Sequence, residues 1–294
     1  MLSREAATAA LAAAAAGMMA TLWLRRSPPW ILSKGMHPEI RRSSWEAVCR
    51  RAERRMRAQR RRLRLYLIRH GESEANLQLA RVVGGRQVGS PLTPLGERQA
   101  QLLGRRLAAE GVRFDRVLAS HAARARRTAE LACAEIGIAP SEIEIDPRAV
   151  EFSQGANELQ PRAEVYREGG PTLRGIARDG ELFFRPPGRS PDGDRGESQW
   201  DTEQRMGALV DELLSQDAAG EGATVHVALF SHGVAIRALV RAMIGAGMHF
   251  VSRTATENTS ITEVRYEPAR GDLGGWHLVR LNDAAHLNNE PAHQ

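Results

Sequence analysis

An α/β fold, specifically a three-layer α/β/α sandwich with a mostly parallel central sheet, is predicted by three observations. Short apolar runs alternate with helix-length amphipathic segments at the spacing of βαβ units. The runs Leu65-Tyr66-Leu67-Ile68 and Val225 to Phe230 are apolar almost throughout, as strands buried on both faces are. Each of these runs is followed by a histidine and a glycine, His70-Gly71 and His232-Gly233, at the strand end where open parallel sheets place their ligand crevices.

Three segments divide the chain: residues 1–24, 25–63 and 64–294. Ala6 to Leu24 is nineteen residues without a charge, ten of them alanine, followed by Arg25-Arg26. Its length is just enough to span a bilayer. Three readings stand open: a retained membrane anchor, a cleaved secretory signal, and an organellar leader for mitochondrion or chloroplast. No acidic residue occurs between Glu5 and Glu39, which suits the last. A retained anchor would hold the body on the cytoplasmic side, because the positive charge follows Leu24. Trp45, Val48, Ala52, Met56 and Leu63 then fall on one helical face among arginines, a pattern that suits an anionic membrane surface or a solvated linker helix.

The globular part is expected to begin near Arg64, with Leu65 to Ile68 as its first strand. Thr93 as N-cap and Pro94 in the first turn open a helix to about Glu110, with Leu95, Ala100, Leu103 and Leu107 on its core face. Val117-Leu118-Ala119 reads as a strand, Ala123 to Ile136 as a helix, and Ile143-Glu144-Ile145 as an edge strand. Residues 153–195, with many Gly, Pro and Arg, break the alternation and read as a small inserted cap. A helix from Glu197 to Leu214, the strand Val225 to Phe230 and a helix from Val234 to Ile244 resume it. Ile261 to Tyr266 and Trp276 to Leu281 form a closing hairpin.

At 294 residues the chain is long enough for a large core, and its charge is unevenly spread. Arg25 to Arg64 holds fourteen Arg or Lys against three acidic residues, which leaves the rest of the chain net acidic despite the overall +6. Nucleic-acid binding by the folded part is therefore not expected, and there is no aromatic interleaving to support it. Cys49 and Cys133 are too few for a disulfide framework or a cysteine-rich zinc site. His249, His277, His286 and His293 have no partner at ligand spacing, so neither metal nor cofactor is expected.

The chemistry resides at the strand ends. A histidine beside a five-donor guanidinium suits phosphoryl transfer, since one group can attack while the other clamps oxygens. In a parallel sheet the two strand ends share one edge, so His70 and His232 can converge in one crevice.

These residues resemble the histidine phosphatase superfamily, the phosphoglycerate mutase and acid phosphatase group. The similarity extends over most of residues 65–281. It rests on Arg69-His70-Gly71, the Leu92-Thr93-Pro94-Leu95-Gly96 stretch, Ser120 to Ala129, Gly196-Glu197-Ser198, His232-Gly233 and Glu257 to Thr262. The resemblance implies His70 as the nucleophile that becomes phosphohistidine, Arg69 and Arg124 as clamps on the phosphate, His232 as a further member of the pocket, and Asn76 as a hydrogen-bond donor to it. Glu151 matches the family's general acid, with Glu158 and Glu72 as alternatives. Asn157 stands where the family commonly has an aromatic. Arg126 and Arg127 should be surface charges, His121 a loop residue and His226 a packed one.

Mutases of the family resemble one another in a tryptophan before the first-motif asparagine, where this chain has Ala75. Phosphomonoester hydrolysis is therefore the expected activity, on a phosphorylated small molecule or a phosphoprotein. Arg86, in a glycine-rich loop, either meets a second anionic group of the substrate or is a solvated charge. The alternatives are a membrane-anchored protein Ser/Thr phosphatase in contact with the bilayer through residues 6–63, a phosphoglycerate mutase, or a silent binding scaffold.

Overall fold

The structure, a computed structural model, describes residues 62–215, 223–267 and 275–288. The apolar run Ala6 to Leu24 and nearly all of the basic linker lie outside the described residues. Among those described, no helix is long and apolar enough to cross a membrane. Of the two compact units into which the chain divides, the larger, Arg61–Val210 with Ala218–Gln294, carries the sheet and every site residue below.

In chain order the elements are β1 (Arg62–Arg69), α1 (Glu74–Gln78), α2 (Pro94–Ala109), β2 (Arg116–Ala119), α3 (Ala123–Ala134), β3 (Ile143–Ile145), α4 (Arg162–Val165), α5 (Pro171–Asp179), α6 (Gln199–Ser215), β4 (Thr224–Ser231), α7 (Gly233–Ile244), α8 (Phe250–Arg253), β5 (Ile261–Glu267) and β6 (Gly275–Asp283). The sheet order is β3-β2-β4-β1-β5-β6. Parallel pairs join β3, β2, β4 and β1, while β5 runs antiparallel to β1 and β6 antiparallel to β5. This is the expected mostly parallel sheet closed by a hairpin.

Alternation along the central strands divides the core between the two faces of the sheet. Tyr66, Ile68, Val117, Ala119, Ala228 and Phe230 pack with Leu103 and Leu107 of α2 and Ala129, Ala132 and Cys133 of α3. Leu65, Leu67, Leu118, Val227 and Leu229 alternate to the other face, where α7 contributes buried Ile236, Leu239 and Val240. A buried ion pair, Arg241 Nη2 to Glu203 Oε2 at 2.6 Å, ties α7 to α6.

Two expectations are corrected. β1 begins at Arg62, and Leu63, read from its spacing as part of an amphipathic helix face, is only 1% exposed and pairs with Val225 and Tyr266. Arg62-Leu63-Arg64-Leu65 alternates with period two, and that pattern prevails over the helical spacing that the preceding arginines suggest. Leu95 is half-buried, since it lies in the first turn of α2, where Gly96 takes the inward position.

Thr93 caps α2 through a hydrogen bond from Gly96 N to its Oγ1 at 3.0 Å, with Pro94 in the first turn. A Cβ on Gly96 would come within 1.9 Å of Glu72 O, and one on Gly71 within 2.4 Å of Gly96 O. The turn after His70 and the start of α2 therefore touch backbone to backbone, which only glycine permits at both positions.

Residues 153–195 carry a short 3-10 turn at Gly155–Asn157, then α4 and α5. This segment joins the loop after α1 through Leu159 N to Val83 O at 2.9 Å, Val83 N to Gln160 O at 2.9 Å and Arg162 N to Arg81 O at 2.9 Å.

Candidate active site

The register of β1 with β4 sets Arg69 opposite Ser231, so the residues that follow, His70 and His232, emerge side by side. His70 N donates to Ser231 O at 3.0 Å. Their rings lie 5.1 Å apart between centroids, and both side chains are buried.

Hydrogen bonding determines the tautomer of His70. Nδ1 lies 2.7 Å from Gly71 O, and a carbonyl can only accept, so Nδ1 carries the proton. Nε2 then holds the lone pair, and Arg124 Nε donates to it at 3.2 Å. Burial, followed by the charges of Arg124 and Arg69, holds His70 well below the ordinary imidazole range, against the opposing pull of the Gly71 carbonyl. The result is a neutral imidazole with its reactive nitrogen facing a cation.

Arg124 sits at the second position of α3 and also donates from Nη1 to Gln87 O at 2.8 Å. Gln87 has φ of 36°, a left-handed conformation that costs a non-glycine residue energy and that turns its carbonyl to the arginine. Burial pulls the Arg124 guanidinium down to about 10, which leaves it charged at neutral pH. Arg69 donates from Nη1 to Thr256 O at 2.5 Å, while its buried Nε makes no hydrogen bond.

His232 places Nε2 at 2.9 Å from Ser120 Oγ, and its buried Nδ1 likewise makes no hydrogen bond. Burial and then Arg124 keep it neutral, well below its usual range. Asn76 uses Oδ1 to accept from Ser73 N at 3.0 Å and from Asn258 Nδ2 at 3.2 Å, so its own amide nitrogen is the group left to donate. Asn258 also holds the backbone of His70 directly, donating to His70 O at 2.9 Å.

The three candidate carboxyls separate by their surroundings. Glu72 accepts from Thr93 Oγ1 at 2.7 Å, and buried Glu158 accepts from Ser153 Oγ, Gln154 N and Arg86 N at 3.2, 3.0 and 3.2 Å. Both are engaged in holding loops, and burial pushes Glu158 up. Glu151 instead reaches the start of α7, where Oε1 accepts from Ala235 N at 3.0 Å and Oε2 from Val234 N at 3.2 Å. In its ionised form it would act on Arg69, Arg124 and Arg237 together.

Arg86 is not a solvated charge, for it is paired within the protein. Its guanidinium lies 2.6 Å from Asp194 and 2.9 Å from Glu197, and its side chain is 14% exposed. Arg126, Arg127 and His121 are exposed, and His226 stacks on Tyr66 with centroids 6.3 Å apart. Among the described residues no cluster of His, Cys, Asp or Glu could hold a metal ion.

The sequence motifs include Ser120, Glu197 and Asn258 without giving them a role, and leave out Gln87 and Arg205. The first three stood inside recognisable stretches. Gln87 contributes only a carbonyl, which no side-chain pattern can reveal.

The assembled site is two neutral imidazoles with the buried guanidinium of Arg124 and the half-buried Arg69, a constellation suited to a tetrahedral oxyanion. The family model of the histidine phosphatase superfamily (branch 1) matches residues 65–284. This chain belongs to that superfamily.

Other superfamily members resemble it along nearly their whole length. A probable phosphoglycerate mutase, GpmB of Photorhabdus laumondii, is 32% identical over 226 residues, covering 77% of this chain and 95% of its own. A mycobacterial glucosyl-3-phosphoglycerate phosphatase, solved with VO3, is 25% identical with a TM-score of 0.59, covering 75% of this chain and 98% of that one. Bacillus stearothermophilus YhfR is 28% identical with a TM-score of 0.55, covering 76% and 99%.

Proposed function

We propose that this chain hydrolyses phosphomonoesters of small molecules through a phosphohistidine formed on Nε2 of His70. The observation that carries the reading is the pair of contacts on His70: Nδ1–H donates to Gly71 O at 2.7 Å, and Nε2 faces Arg124 Nε at 3.2 Å. A nucleophile so arranged needs no base to deprotonate it.

In the proposed reaction the Nε2 lone pair attacks phosphorus as the bond to the leaving alkoxide breaks. Glu151, protonated, gives its proton to that oxygen. Arg69, Arg124, His232 and the Asn76 amide stabilise the charge spread over the nonbridging oxygens, which is the main work in phosphoryl transfer. In the second half, the Glu151 carboxylate takes a proton from water as the water oxygen attacks phosphorus. The N–P bond breaks, phosphate departs, and neutral His70 and protonated Glu151 are restored.

Small phosphorylated substrates are supported by the names of the neighbours, among them the glucosyl-3-phosphoglycerate phosphatase. Hydrolysis rather than mutase transfer is supported by Ala75 before Asn76 and by the commitment of Arg86 to Asp194 and Glu197. The test is a quench under alkaline denaturing conditions after mixing with labelled substrate. Labelled phosphohistidine should appear in the wild type and vanish in His70→Ala. Label retained in that variant refutes the assignment, and phosphate returned to a second hydroxyl compound instead of water would favour the mutase.

Residues 6–63 as a membrane anchor or organellar leader is a separate proposal. Imaging a fusion that starts at Arg61, ahead of β1, tests it. Unchanged localisation would overturn it.

A further inference from the structure

Behind Glu151 lies an ionic network that no catalytic role accounts for. Arg205 of α6 spends its guanidinium on five acceptors: Glu197 Oε1 at 2.9 Å from Nε, the carbonyls of Arg148 and Val150 at 2.6 Å each from Nη1, and Glu151 O at 3.1 Å and Glu197 Oε2 at 3.0 Å from Nη2. Arg86 reaches the same carbonyl from a different loop, with Nε donating to Glu151 O at 3.2 Å. Glu197 bridges the two guanidiniums, lying 2.9 Å from each. Ser153 N and Thr202 Oγ1 add donors to Glu197 at 3.3 Å each.

Glu151 is thus fixed at both ends. Two guanidiniums joined by one carboxylate grip its backbone, and the first amides of α7 receive its carboxyl oxygens. Because α7 begins at the residue after His232, the carboxyl is referred to the same frame as the phosphate pocket. Arg205, Glu197 and Arg86 are all at most 16% exposed in their side chains, so solvent screens the network little. Burial alone would push Glu197 up, but the Arg205 hydrogen bonds and the charges of Arg205 and Arg86 hold it below the usual carboxylate range and keep it ionised.

We propose that Arg205 and Glu197, with Arg86, are positioning residues for the general acid, which they hold by the backbone of Glu151 at proton-transfer geometry. The proposal rests on the reading of Glu151 as that acid. Its consequence is selective: slackening the grip matters where the leaving group needs a proton and hardly where it does not. A lysine at 205 keeps the charge but is a point donor that cannot fork between Glu197 and three carbonyls.

The experiment compares Arg205→Lys, Glu197→Gln, Glu151→Gln and the Arg205→Lys/Glu151→Gln double variant on glycerol 2-phosphate and p-nitrophenyl phosphate, with a thermal melt on each. Misplacement of a catalytic group by about 1 Å costs on the order of 10²-fold. The expected result is therefore a fall in kcat of about 10 to 100-fold on glycerol 2-phosphate for R205K and E197Q, less than about 3-fold on p-nitrophenyl phosphate, and little change in KM. The double variant should be no slower than E151Q alone on glycerol 2-phosphate, because Arg205 acts through the carboxyl that E151Q has already removed.

If E151Q is leaving-group selective but R205K and E197Q slow both substrates equally, or slow neither, the positioning role is overturned and the acid stands. If the double variant multiplies the two losses, Arg205 acts by another route and the proposal falls. If E151Q itself slows both substrates equally, the acid reading falls and takes the proposal with it. Should R205K lack a cooperative melt, E197Q, which preserves a hydrogen-bonding side chain of the same shape, decides alone.

Discussion

The neutrality of the two active-site histidines predicts a specific acid sensitivity. His70 and His232 are both held well below the ordinary value of 6.5, by burial first and by Arg124 next. In the unfolded chain each titrates normally, so below about pH 6.5 the unfolded state binds protons that the folded state refuses. Stability is then complete above that value and declines as pH falls. For a folded pKa well beneath the window, integration from pH 7 to pH 5 gives a loss of about 2 kcal/mol per histidine, or about 4 kcal/mol for the pair. That is a large share of the 5–15 kcal/mol available to an ordinary domain. Burial also draws His286 down, to about 4, so it adds its own increment, but that increment is common to any variant retaining it. Urea unfolding of the wild type and of His70→Gln/His232→Gln at half-unit steps between pH 7 and 5 isolates the pair, since carboxylate contributions cancel in the difference. The wild type should lose about 4 kcal/mol more than the double variant over that range. Curves that run parallel within about 1 kcal/mol would show that the two imidazoles take up protons equally folded and unfolded, and the neutral nucleophile would lose its support.

Arg124→Lys keeps a cation but loses the fork that joins His70 Nε2 to Gln87 O, and kcat/KM on p-nitrophenyl phosphate should fall by about 10² to 10³-fold, as for an oxyanion donor; a change under about 5-fold would deny the clamp. Glu203→Gln strands Arg241, leaving a buried charge without its ionised partner, and should cost about 3–5 kcal/mol in urea unfolding while the folded fraction keeps its specific activity. Gly96→Ala forces a methyl to within 1.9 Å of Glu72 O, so it should lower Tm by several degrees and slow turnover together, because the displaced backbone leads directly from His70; an unaltered Tm would mean that the turn and α2 separate freely.

Much of this molecule is legible in its residues because its signals are local. Thr93-Pro94 announces the start of α2 by capping chemistry, and the apolar strands ending in His-Gly place both imidazoles on one edge. Leu63 is the instructive exception: the arginines before it extend a helical pattern that competes with the period-two alternation of Arg62 to Leu65, and pairing with Val225 and Tyr266, each more than 160 residues away, secures the strand. The pairing of Arg86 is hidden for the same reason. Nothing near it in the chain indicates that Asp194 and Glu197 will close over it, so an arginine in a glycine-rich loop reads equally as an anion site or a solvated charge. The segment 153–195 is mostly irregular apart from α4 and α5, and its first part, Leu159 to Arg162, is held by backbone hydrogen bonds to the loop after α1 that no local pattern announces.

The fate of Arg86 bears on chemistry as well as on prediction. Three guanidiniums, Arg86, Arg205 and Arg237, surround Glu151 without belonging to the phosphate pocket, and each is spent on carbonyls or carboxylates of the protein itself. Arg69 and His232 differ, for each retains a buried nitrogen with no hydrogen bond, and each bears on His70, Arg69 through its charge and His232 with its ring 5.1 Å away. A buried polar atom left unpaired costs free energy, and at these two positions an anion would relieve that cost. On the proposed mechanism, affinity would then be directed at the phosphoryl group. Discrimination among alcohols would fall to the loop after α1 and the segment 153–195 bonded to it, so exchanging residues there should move KM between substrates while leaving the rate of phosphohistidine formation from p-nitrophenyl phosphate nearly constant.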